Sequence, residues 1–151
     1  MSKERTIEEV LKADGLFVST TAGMSMYPML RNRKDTIVIR PYEGRLHKYD
    51  VPLYKRKDTY ILHRIVKVLP ESYVICGDNC EWKEYDITDE QILGVLTEFY
   101  RGEKRIDMQG IGYKLYARIW SNSFPVRMCY RKVKRLASRI WRKIRKGARC
   151  A

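Results

Sequence analysis

From residue 16 to residue 99 the chain is a succession of short β-forming runs separated by turn signals, and this rhythm limits the folds open to it more than any other feature. The runs fall at roughly 16–21, 36–40, 50–55, 60–69, 72–76 and 91–99. Arg31-Asn32-Arg33-Lys34-Asp35, Glu43-Gly44, Lys57-Asp58, Pro70-Glu71-Ser72 and Gly77-Asp78-Asn79 punctuate them. Close turns without a βαβ rhythm predict an antiparallel, mainly β domain. Two hairpins are expected within it, 52–56 with 59–66 and 60–69 with 72–76.

Helices are expected only at the two ends. Thr6-Ile7-Glu8-Glu9 has the form of a capping box, Ile7, Val10 and Leu11 make an apolar stripe, and Gly15 stops the helix. Charge then divides the chain. Residues 1–108 hold 18 basic and 18 acidic side chains, whereas the remaining 13 of the 31 Lys and Arg all lie in 109–151 with no acid among them. Two units with two jobs follow: a β domain over 1–108 and a basic helical tail over 109–151. In the tail, Tyr113, Tyr116, Ala117 and Trp120 predict a short helix broken at Ser121-Asn122-Ser123-Phe124-Pro125. A longer helix follows, with Val126, Tyr130, Val133, Ile140, Trp141 and Ile144 at 3–4 spacing and Lys or Arg over the remainder. Cations around a Trp-bearing apolar stripe suit an anionic membrane interface, with Val133, Ile140, Trp141 and Ile144 as the lipid-facing side chains. The competing arrangement packs that stripe on the β domain and leaves the cations solvated.

The stretch with chemistry in it is Thr21-Ala22-Gly23-Met24-Ser25-Met26-Tyr27-Pro28. Ala22 and Gly23 permit a tight turn and Pro28 fixes φ, so Ser25 is expected on a stiff loop. Met24, Met26 and Pro28 are the expected substrate-binding neighbours. A serine nucleophile needs a base. His47 stands in a charged turn, while His63 lies within Ile61-Leu62-His63-Arg64-Ile65, where strand alternation puts Ile61, His63 and Ile65 on one face. A strand aims that imidazole rigidly, and its ordinary pKa allows proton transfer near neutrality.

These segments resemble the signal peptidase I superfamily of serine peptidases over most of residues 15–100. Gly23-Met24-Ser25-Met26-Tyr27-Pro28 fits the G-x-S-M-x-P block around the nucleophile, and Arg33 to Ile39 fits the turn and strand after it. Tyr49-Asp50-Val51-Pro52 is similar to the next strand, with Tyr49 where glycine is usual. Leu62-His63-Arg64-Ile65-Val66 matches the block of the endoplasmic-reticulum-type members, in which histidine replaces the lysine base. Val74 to Asn79 fits the Gly-Asp-Asn block, and Gln91 to Leu96 fits the closing strand. The resemblance implies a serine endopeptidase with a Ser25–His63 dyad, cutting leader or signal sequences bound as an extended strand. Met24 and Ala22 offer no hydroxyl, which leaves the Ser25 backbone N–H as the oxyanion donor. No aspartate stands at the family's usual distance beyond Gly-Asp-Asn, so Asp78 is expected to orient His63, with Asp86 second.

Other calls follow from composition. Cys76, Cys80, Cys129 and Cys150 show no paired metal spacing, so no metal or other cofactor is expected. No apolar run is long enough to span a bilayer, and no signal peptide precedes the polar Ser2-Lys3-Glu4-Arg5. Reduced thiols and a location in the cytoplasm, or peripherally on the cytoplasmic membrane face, are the expectation. The expected partners are a peptide or preprotein and an anionic membrane surface. The alternative is a non-catalytic peptide-binding or DNA-associated, repressor-like relative. Only 24 residues precede Ser25, too few for a helix-turn-helix domain, which argues against nucleic acid.

Overall fold

A computed structural model describes residues 5–147. The architecture is mainly antiparallel β, as the turn rhythm predicts, with one short helix before the sheets and two helices after them. Helix α1 (Ile7–Asp14) begins with the anticipated capping box: Thr6 Oγ1 accepts from the Glu9 N–H and Glu9 returns a carboxylate to the Thr6 N–H. Gly15 ends it in the left-handed region at φ 67°.

The larger sheet orders its strands β1 (Phe17–Thr20), β2 (Asp35–Arg40), β8 (Ile92–Arg101), β3 (Pro52–Arg56) and β4 (Thr59–Leu62), with β9 (Lys104–Asp107) also on β8. The smaller sheet holds β5 (Arg64–Val68), β6 (Tyr73–Cys76) and β7 (Glu84–Ile87). Strand β8 is the spine, because it pairs with β2, β3 and β9. Both expected hairpins form, as β3–β4 and β5–β6.

The run expected as one strand over 60–69 is two strands in different sheets. Leu62 pairs with Leu53 and Arg64 with Cys76, so the chain changes sheets at His63. Alternation survives the crossing. Ile61 and Ile65 belong to a core cluster with Tyr54, Tyr73 and Ile75, whereas Leu62 packs on the other cluster, built on Leu11, Met26, Leu30, Ile39 and Phe99. Strands β7 and β9 were not legible in the sequence, since Glu84-Tyr85-Asp86-Ile87 and Lys104-Arg105-Ile106-Asp107 are short, mostly polar edge segments that each turn a single isoleucine, Ile87 or Ile106, to a core cluster.

Helix α2 (Ile111–Asn122) and helix α3 (Phe124–Gly147) meet at the expected break, with Ser123 between them. The boundary at 108 divides charge but not packing. Tyr113 and Tyr116 cover the first core cluster, and Ala117 is buried. No helix among the described residues is long and apolar enough to cross a membrane.

Gly94 on β8 lies against the backbone of β2 with no room for a side chain. A Cβ there would lie 2.7 Å from the Arg40 carbonyl oxygen and 2.8 Å from Ile39 Cγ2. Because backbone cannot move aside cheaply, Gly94→Ala should lower unfolding free energy by about 2 kcal/mol in chemical denaturation. Gly112→Ala, which meets nothing within 4 Å, serves as the control.

Candidate active site

Ser25 sits in a loop that leaves β1 and returns at β2, closed at its neck by Asp35. That carboxylate is fully buried and accepts from the Arg31 backbone N–H at 2.8 Å and from its guanidinium at 2.9 and 2.7 Å. The Thr21 hydroxyl donates to the Arg31 carbonyl at 2.6 Å, and the Arg33 N–H to the Thr21 carbonyl at 2.8 Å. The Gly23 N–H, at φ 93°, donates to Asn32 Oδ1. Cross-ties at this density make the stiff loop inferred from Gly23 and Pro28.

A second loop, between β6 and β7, is fastened on top of the first. The Asn79 N–H donates to the Ser25 carbonyl at 2.7 Å and Asn79 Nδ2 to the Met24 carbonyl at 3.2 Å. Gly77 lies where no side chain fits. A Cβ on it would stand 2.7 Å from the Ser25 carbonyl oxygen and 2.9 Å from His63 Nε2, so the nucleophile loop and the imidazole flank one bare α-carbon.

His63, at the change of sheet, is 7% exposed. Its Nδ1 faces the Glu84 carboxylate at 3.1 Å. The Tyr54 hydroxyl donates to the same Glu84 oxygen at 2.8 Å and lies 3.3 Å from Nδ1. Arg56 pairs with the other Glu84 oxygen at 2.6 Å. An ionised carboxylate only accepts, so the proton is assigned to Nδ1, and Nε2 carries the lone pair on the side of Gly77 and the serine loop. Burial lowers the His63 pKa below its ordinary value, and Glu84 opposes that shift without reversing it. Nε2 lies 4.0 Å from Cys80 Sγ, and no hydrogen bond joins it to the Ser25 hydroxyl. Burial raises the Cys80 thiol pKa, which keeps it protonated beside the imidazole.

Asp78, expected to orient His63, has a different post. Both of its oxygens accept from Arg64, Nε to Oδ1 and Nη2 to Oδ2, at 2.8 Å each, and Tyr116 donates to it at 3.1 Å. Arg64 and Asp78 are 1% and 4% exposed. A bidentate partner directly behind Asp78 turns it away from Nδ1, and Glu84 occupies the orienting position. Asp86, the second choice, is exposed on β7 at φ 59°. Glu84 and Tyr54 escaped sequence reasoning because Glu84 lies among exposed acids. The available clue was strand parity: Tyr54 is two residues beyond Pro52, and inward strand tyrosines bring a hydroxyl into the core.

The expected substrate-binding residues separate. Ser25 and Met26 line a cleft of about 280 Å³ with Leu30, Leu53, Tyr60 and Leu62. Met24 is exposed beside it, while Pro28 borders a different hollow with Phe99 and Tyr116. The Ser25 N–H has no intramolecular partner among the described residues, as an oxyanion donor requires.

On α3, the arrangement reverses the packed-stripe alternative. Val133, Ile140 and Trp141 are 60, 50 and 63% exposed, and arginines make the contacts to the β domain. The side chain of Ile144 lies outside the described part of the structure, as does Cys150.

No family model matches the chain, and no curated protein matches it. The described residues form an antiparallel β domain in which His63 and Glu84 meet at the change of sheet, with the Ser25 backbone against Gly77 beside them.

The two carboxylates should separate experimentally. In imidazole NMR titrations His63 should titrate below 6.5, and Glu84→Gln, by removing the opposing charge, should lower it further. Asp78→Asn should instead destabilise the protein by about 3 kcal/mol, since it leaves Arg64 buried without its counter-charge. A larger His63 shift in Asp78→Asn than in Glu84→Gln would reverse the assignment.

Proposed function

We propose that the chain is a serine endopeptidase of the signal-peptidase type, acting through Ser25 and His63 with Glu84 as the orienting carboxylate. The observation that carries this reading is the imidazole itself: Nδ1 is held by a carboxylate only 10% exposed, while Nε2 and the Ser25 backbone crowd the same bare Gly77. His63 Nε2 takes the Ser25 proton as the oxygen attacks a peptide carbonyl, and Glu84 stabilises the imidazolium that forms. The Ser25 N–H receives the oxyanion. Collapse of the tetrahedral intermediate returns the proton to the leaving amine, and water repeats the cycle to release the acyl group.

An extended peptide is the substrate that fits. Among the described residues strand β4 ends the larger sheet, paired only with β3, and Tyr60, Ile61 and Leu62 line the cleft that holds Ser25. A backbone added along that edge would run past the serine and lodge small side chains in the apolar cleft. The resemblance to signal peptidases favours leader or signal sequences for this role. The tail supports placement at a membrane surface: exposed Val133, Ile140 and Trp141 beside a cationic face match an anionic bilayer, where each basic side chain is worth about 1 kcal/mol.

Labelling by a fluorophosphonate and cleavage of leader-like peptides test this reading. Ser25→Ala and His63→Ala should each lower kcat by about a thousandfold or more and abolish labelling, whereas Cys80→Ser should retain both. Labelling that persists in Ser25→Ala would exclude the nucleophile. The acid limb of kcat/KM should fall below 6.5, following the lowered His63 pKa, because only the neutral imidazole accepts the proton. Trp141→Asp should weaken binding to phosphatidylserine vesicles by about tenfold while leaving peptide cleavage in solution unchanged.

A further inference from the structure

Helix α3 touches the β domain at Phe124, over whose ring Lys83 lies, and along a row of arginines. Arg127, Arg131 and Arg135 recur every four residues and so share a face. They contact consecutive parts of the loop that carries Asn79. Arg127 Nη1 donates to the Asp78 carbonyl at 2.7 Å, and its guanidinium stacks 4.2 Å from the centre of the Trp120 ring. Arg131 donates to the Asn79 carbonyl at 3.0 Å and to Asn79 Oδ1 at 2.5 Å. Arg135 pairs with Glu81.

The middle contact reaches furthest. Asn79 Oδ1 is taken by Arg131, which fixes the amide so that Nδ2 points the other way and donates to the Met24 carbonyl. The Asn79 N–H holds the Ser25 carbonyl. One asparagine therefore stands between an arginine of α3 and the backbone on which Ser25 is mounted. Arg131 is 28% exposed, so its donors are partly withdrawn from water.

We propose that α3 is part of the candidate site, and that Arg131 is a positioning residue that fixes the Ser25 turn through Asn79. Exposed Val133, Ile140 and Trp141 leave the apolar stripe of the same helix free while the arginine row is engaged. The mechanical claim concerns the loop alone; its catalytic consequence rests on the serine-peptidase reading.

Site-resolved amide hydrogen exchange on the full chain tests the claim without requiring activity. The reporters are the Asn79 amide, bonded to the Ser25 carbonyl, and the Tyr27 amide, bonded to the Met24 carbonyl. Arg131→Gln should speed exchange at both by about tenfold, while amides of β2 and β8 stay unchanged. Asn79→Asp keeps a charged partner for Arg131 but removes the donor to Met24, so it should loosen Tyr27 although the helix remains docked. Arg135→Gln, which loses only the Glu81 pair, should leave both reporters as they are. Unchanged exchange at Tyr27 in Arg131→Gln overturns the proposal, and so does uniform acceleration across the sheets, which would make Arg131 a general stability contact. In peptide cleavage, Arg131→Gln should lower kcat about tenfold with KM unchanged, with partial recovery in Arg131→Lys. Absence of fluorophosphonate labelling in the wild type would defeat the peptidase reading, and the exchange measurements would still decide the role of Arg131.

Discussion

The buried ion pair between Arg64 and Asp78 is the constraint on which the rest of the site depends. Two opposite charges almost sealed from water are tolerable only when every hydrogen-bonding direction is used, and removing one partner typically costs about 3–5 kcal/mol. Here the guanidinium also donates to the Tyr49 carbonyl and the Tyr113 hydroxyl, and Asp78 accepts from Tyr116. Burial opposes the charge on Arg64, yet the Asp78 carboxylate outweighs it and the guanidinium pKa is raised. The pair thereby fastens β5 to the loop after β6 and draws α2 over both.

Its neighbours in sequence belong to the candidate site. His63 precedes Arg64, while Gly77 and Asn79 bracket Asp78. Fixing one side chain on each segment fixes the register of both, which brings an imidazole and a bare glycine against the Ser25 loop. Glu84 completes the site from β7, where Tyr54 and Arg56 hold it. The two acids thus divide the labour: Asp78 sets where the segments lie, and Glu84 sets which nitrogen of His63 is free.

Helix α3 shows the same economy of contacts. Its cations are not merely solvated, because three of them grip the backbone and acid of the loop that carries Asn79. An amphipathic pattern identifies an apolar face but cannot say which face meets the protein. With the stripe outward, polar contacts dock the helix and apolar side chains remain for another surface.

Much of this was legible along the chain because it depends on local chemistry. The capping box at Thr6, the stop at Gly15, the hairpins, the break at Ser123 and the stiff turn around Ser25 are each written in a few adjacent residues. The candidate nucleophile and base were legible as residue types for the same reason, a serine in a tight turn and a histidine within a β-forming run, although His63 itself lies between β4 and β5 rather than on a strand. The change of sheet at His63 was not, since a continuous β-forming run carries no mark of which partner each half will choose. Nor was the choice of Glu84 over Asp78, because both are acids near one loop and only the packing of Arg64 decides which is already engaged. By itself the sequence determined the elements and the chemical groups. Tertiary structure decided their pairing, because a buried charge takes the partner that the fold brings within reach, wherever that partner lies along the chain.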